Sequence, residues 1–186
     1  MGYSGRAVVI DPDVFAVGDV WELLSRDMQG KAILCRPRSR TNRSTDGAMA
    51  TSVMLLDCAK LRHWQVVKQF NEMFEGKLDY KDWITLRLED RDSIGLFENH
   101  WNDLDVLSRR TKMLHTTKRW TQPWKAGLSI DFTPADAFPG FPPIGWLMRW
   151  RRQLFGDHAL LGRYRLHSDR NQEDFFFGLL RECIEN

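Results

Sequence analysis

Three short apolar runs constrain the fold most: RAVVI (6–10), KAILCR (31–36) and TSVMLLD (51–57). Each is too short for a buried helix, is rich in branched or bulky apolar residues, and is bounded by turn formers or charge. Each therefore reads as a strand. Asp11 and Pro12 stop the first run, because proline cannot donate to a sheet ladder and restricts the residue before it. Between the strands the spacing changes to helical: Val20, Leu23, Leu24 and Met28 predict a helix ending near Gln29 and Gly30. Residues 37–50 are polar, basic and poor in large apolar groups, and read as a loop.

The same alternation continues. Asp57 is placed to cap a helix over 58–75, with Leu61, Trp64, Val67, Phe70 and Phe74 on one face and Gly76 as its stop. WITLRLED (83–90) alternates Ile84, Leu86 and Leu88 with Thr85 and Arg87, which predicts a half-exposed strand. SIGLF (93–97) is placed to return as its hairpin partner, with helical continuation through Trp101 and Leu104 as the competing reading. Residues 100–114 read as helical in either case. AGLSIDF (126–132) and LLGRYRLH (160–167) read as strands. The last helix is expected over 171–184, burying Phe176, Leu179, Leu180 and Cys183. Interleaved strands and helices predict an α+β fold: a single domain with a mixed or mainly antiparallel sheet packed by about four helices. The best candidate boundary is the basic, aromatic stretch 115–125.

At 186 residues, 42% hydrophobic and 28% charged, the chain has the composition of one well-buried globular domain. Its eight tryptophans are expected mainly in the core. No apolar run reaches the ~20 residues of a membrane span. The N-terminus lacks a signal-peptide pattern, and Arg6 stands where a myristoylation site wants serine or threonine. Three cysteines without close pairing fit reduced, buried thiols, so a cytoplasmic location is expected.

The sequence offers few chemical motifs. It has neither a phosphate-cradling glycine loop nor a nucleophile elbow. Cys58 and His63 are two potential zinc ligands where four are needed, so neither metal nor cofactor is expected. His100, between acids in ENHWND (98–103), reads as a helix start. Glu89, Asp90 and Asp92 follow an expected strand, and carboxylates at strand ends suit hard divalent cations. They supply the one catalytic alternative, a metal-dependent enzyme acting on nucleic acid or nucleotides. The competing reading of the same residues is an acidic turn.

Charge is segregated although the net charge is only +2. Residues 71–105 hold ten acids and four bases, whereas 106–170 hold twelve bases and four acids. Arginine forks suit phosphate and carboxylate, and aromatics among bases can stack unpaired nucleobases or anchor an interface. The expected contact residues are Arg109, Arg110, Lys112, Arg119, Trp120, Trp124, Arg149 and Arg152. In the stretch 142–156, Trp146, Leu147, Trp150 and Leu154 fall on one helical arc, with Arg149 and Arg152 opposite. The function expected on this basis is a non-catalytic binding or regulatory protein. It would engage a protein or nucleoprotein partner through a basic face, in the manner of a phage-encoded inhibitor of host machinery.

Overall fold

The computed structural model describes residues 4–38, 48–130, 150, 154 and 162–185. The chain divides into two compact units, Met1–Thr116 and Thr117–Asn186.

The first unit is built on two mixed sheets. One is four-stranded, with β1 (Arg6–Ile10), β4 (Met49–Asp57), β3 (Ile33–Pro37) and β5 (Ile94–Leu96) in that spatial order. β4 pairs antiparallel with both β1 and β3, and β5 joins β3 in parallel. The other sheet is three-stranded: β2 (Val14–Ala16), β7 (Met113–His115) and β6 (Asp103–Leu104), with β7 central. β4 buries Val53, Met54, Leu55 and Leu56 in succession, so both of its faces are covered. Ile33, Leu34 and Cys35 of β3, Leu23, Leu61, Trp101 and Met113 complete the core.

Local chemistry explains where helices form. α1 (Val20–Leu24) is capped by the Asp19 carboxylate, which accepts from the Trp21 amide. α2 (Val66–Phe74) and α3 (Tyr80–Ile84) follow, the latter capped by Asp79. The second unit contains α4 (Arg170–Glu185), 3-10 turns at Arg119–Thr121 and Pro123–Lys125, and a bridge between Ser129 and Arg163. Strands in mixed sheets together with these helices make the chain α+β. Among the described residues, no helix is long and apolar enough to cross a membrane.

Several expected elements differ. The helix expected over 58–75 is broken: Asp57 caps only a 3-10 turn, Cys58–Lys60. Leu61 then turns fully into the core, and α2 restarts after Gln65. The supposed core face of α2 points outward, with Val67 76% and Phe74 87% exposed. The expected strand over 83–90 is the end of α3 followed by Leu86 at φ +56°. Its alternating pattern comes from a helix terminus, where Thr85 Oγ1 donates to the Lys81 carbonyl. The segment 93–97 is a strand, but its partner is β3 rather than a hairpin neighbour. The helix expected over 100–114 is replaced by a 3-10 turn (Asn99–Asn102), β6 and β7. There Thr111 Oγ1 bonds Asp103, and Ser108 bonds Thr111, closing a loop that a helix would not permit.

Burial also departs from expectation. Among the described residues Trp101 is the tryptophan in the core, whereas Trp21, Trp120 and Trp150 are exposed. Leu154 is exposed as well, while Trp146 and Leu147 of the same expected arc lie outside the described residues. Cys35 and Cys58 are buried, but Cys183 and Leu180 on α4 face outward.

Candidate functional site

The turn between β1 and β2 brings three potential ligands together. β1 ends at Ile10, and Asp11 extends its ladder by one rung, its amide donating to the Ser52 carbonyl at 2.9 Å. Pro12 has no amide to satisfy and a fixed φ, which suits a turn between two strands of different sheets. The Val14 amide closes the turn on the Asp11 carbonyl at 3.1 Å. The Asp13 carbonyl accepts from both the amide and the hydroxyl of Thr116, at 3.1 and 3.0 Å. The β2–β7 register places Val14 opposite His115.

This geometry sets Asp11, Asp13 and His115 in one cluster, with one ligand atom from each within 4.8 Å of the others. His115 Nε2 lies 3.3 Å from Asp13 Oδ1. On its other side, His115 Nδ1 lies 3.2 Å from Asn102 Oδ1. Asn102 is completely buried. Its Nδ2 donates to Ser52 Oγ at 2.8 Å, and its carbonyl accepts from Nη1 of buried Arg36 at 2.6 Å. Asp11 is exposed while Asp13 and His115 are half-buried, so the cluster is open to solvent on the Asp11 side and backed by buried Asn102 on the other.

Two carboxylate oxygens and one imidazole nitrogen are a fitting donor set for a divalent cation that accepts mixed oxygen and nitrogen ligands, as Mn²⁺ does. Three protein ligands leave positions for water or substrate oxygens.

The residues expected from the sequence lie elsewhere. Glu89 accepts from Trp64 Nε1 at 2.7 Å and meets His63 Nε2 at 2.8 Å. Asp90 Oδ1 accepts from the Asp92 amide at 3.0 Å, a local cap. The Glu89 and Asp90 carboxylates are therefore engaged in packing and turn structure, and none of the three acids joins the ligand cluster found among the described residues. Arg109 and Arg110 are exposed in the first unit. Lys112 donates to Glu22 at 2.6 Å and lies over the Trp101 ring. Arg119 and Trp120 are exposed in the second unit, where Trp124 packs on Phe176 at 5.3 Å between ring centroids. Arg149 and Arg152 lie outside the described residues.

The sequence reading missed Asp11 and Asp13, treating Asp11-Pro12 only as a strand stop. The signal was present. Two acids flanking one residue at the end of an apolar strand have the same strand-end placement as Glu89, Asp90 and Asp92 in the sequence. His115 had no comparable local signal.

No protein-family model and no curated protein matches the chain. Solved structures do. The glycosyltransferase GlyE of Streptococcus pneumoniae TIGR4 aligns at 16% identity with a TM-score of 0.50 in two crystal structures. In one the match covers 65% of this chain and 35% of that chain; in the apo form it covers 90% and 46%. The galactosyltransferase LgtC, solved with donor and acceptor sugar analogs, aligns at 13% identity and a TM-score of 0.48, over 67% of this chain and 56% of that one. This chain thus spans about half or less of the chains it matches, and at such identity the likeness is one of fold.

That likeness overturns the expected function. The matched folds are those of glycosyltransferases, which are enzymes. The expectation of a non-catalytic regulator or inhibitor, of nucleic-acid binding, and of a nucleic-acid enzyme built on Glu89, Asp90 and Asp92 gives way. The basic and aromatic segments behind it are divided between the two units, and several of their side chains have partners within the chain.

Proposed function

We propose that the chain carries the cation-binding part of a glycosyltransferase. In this reading Asp11, Asp13 and His115 hold a divalent cation against the diphosphate of a nucleotide-sugar donor. The observation that carries it is the convergence of an Asp-Pro-Asp turn with His115, in a chain whose fold likeness is to GlyE.

When bound, such a cation supplies Lewis-acid stabilisation of the charge that develops on the leaving diphosphate. The chain's own residues have simpler tasks. Asp11 and Asp13 offset the cation's charge and hold it at the end of β1. His115 contributes a neutral donor, which leaves the set less negative than three carboxylates and less repulsive to a diphosphate. Burial of Asn102 and Arg36 behind His115 makes the inner wall unyielding. The open side at Asp11 is where donor and acceptor would approach.

The test is Mn²⁺ titration of the full chain, read by electron paramagnetic resonance, with and without UDP or GDP. Wild type is expected to bind Mn²⁺ more tightly when the diphosphate is present, and Asp13→Asn to lose at least about tenfold in affinity. A wild type that binds no Mn²⁺, or equal binding by wild type and Asp13→Asn, would overturn the reading.

A further inference from the structure

We propose that Asn102 is a positioning residue for this site: it holds the His115 ring by Nδ1 so that Nε2 is presented towards Asp13 and Asp11. The inference rests on the cation-binding reading for its purpose, although the hold on the ring is a property of the chain itself.

Three observations support it. First, Asn102 is fully buried and its side chain has two protein contacts, His115 Nδ1 at 3.2 Å and Ser52 Oγ at 2.8 Å. The amide turns its NH₂ to the Ser52 hydroxyl and its oxygen to the ring, and that oxygen can only accept. Nδ1 must then carry a proton, leaving Nε2 as the nitrogen whose lone pair is available to a ligand. Second, Asn102 is itself anchored, since its carbonyl accepts from Arg36 Nη1 on β3. Third, Ser52 links the two arms of the site. Its hydroxyl accepts from Asn102, and its carbonyl accepts from the Asp11 amide. One short network therefore places His115 from β7 and Asp11 just after β1 relative to the same residue of β4.

A partner that accepts from the second nitrogen of a metal-binding histidine fixes tautomer and ring angle, and its loss typically weakens metal binding by about 10- to 100-fold. The conservative exchange is informative here. Asn102→Asp keeps an acceptor for Nδ1–H, and the Ser52 hydroxyl can donate to the new carboxylate. Asn102→Leu removes both contacts.

The experiment is long-range proton–nitrogen NMR of histidine-labelled, metal-free full chain, followed by Mn²⁺ titration of wild type, Asn102→Asp and Asn102→Leu. Expected is an exchange-protected proton on His115 Nδ1 in wild type and Asn102→Asp, absent in Asn102→Leu. Mn²⁺ affinity should fall about 10- to 100-fold in Asn102→Leu and change far less in Asn102→Asp. An unprotonated Nδ1 in wild type overturns the proposal, as does wild-type Mn²⁺ affinity in folded Asn102→Leu. Should Asn102→Leu fail to fold, the wild-type spectrum still decides. A protected Nδ1 proton in a wild type that binds no Mn²⁺ supports the hold on the ring and sinks the cation-binding reading alone.

Discussion

His115 Nε2 lies 3.3 Å from a carboxylate oxygen of Asp13, although the two residues come from opposite ends of the first unit's sequence. Antiparallel pairing of β2 with β7 makes the contact, because it sets Val14 across from His115. The contact therefore depends on the register of a three-residue strand pair. Asp13→Asn and His115→Ala are each expected to lower Mn²⁺ affinity by at least about tenfold. The fold should persist, since neither side chain belongs to the apolar core. Circular dichroism alongside the Mn²⁺ titration checks both statements.

A second ion pair predicts an acid-range effect. Arg26 and Glu98 pair through two hydrogen bonds, and the guanidinium holds the Glu98 carboxyl down at about 2. An unfolded glutamate titrates near ~4.3. A carboxyl depressed in the folded state stabilises the fold above the unfolded value and loses that contribution as pH falls towards 2. Glu98 is half exposed, so solvent screening limits the pair to about 0–1 kcal/mol. Urea midpoints should show Glu98→Gln less stable than wild type at pH 7, with the gap closing by about pH 2. A gap independent of pH would contradict the assignment.

Leu55 tests the core. It is fully buried in β4, between β1 and β3. Leu55→Ala removes buried methyl groups and leaves a cavity in the central strand, which costs about 2–5 kcal/mol. Val67→Ala on the exposed face of α2 is expected to change stability by less than about 0.5 kcal/mol. Chemical denaturation of the two variants measures the contrast directly and separates the observed burial from the core face read for the longer helix.

The cysteines should differ in reactivity. Burial pushes the Cys35 thiol up to about 12, so it stays protonated at neutral pH. Cys58 is buried as well, whereas Cys183 is exposed on α4. Under native conditions a thiol reagent is expected to modify Cys183 rapidly and Cys35 and Cys58 only on unfolding. Mass spectrometry of the labelled peptides shows the order.

What the chain's order of residues determined by itself is local. RAVVI, KAILCR and TSVMLLD become β1, β3 and β4 because a short apolar run between turn formers has few other ways to bury itself. Asp57 caps a turn, and the 171–184 periodicity becomes α4, because capping and helical spacing act over a few residues. Elements that depend on distant partners were not legible. Residues 100–114 look helical, yet Leu104 and Met113 flank a loop that returns β7 between β2 and β6. β5 resembles half of a hairpin, yet it pairs with β3. The site divides in the same way. The Asp-Pro-Asp turn is visible as two acids at a strand end, but His115, Asn102 and Ser52 carry no mark of their own. They become a site only when β4, β7 and the 3-10 turn before β6 pack together, since hydrogen bonding and metal ligation act over a few ångströms in space, whatever the separation along the chain.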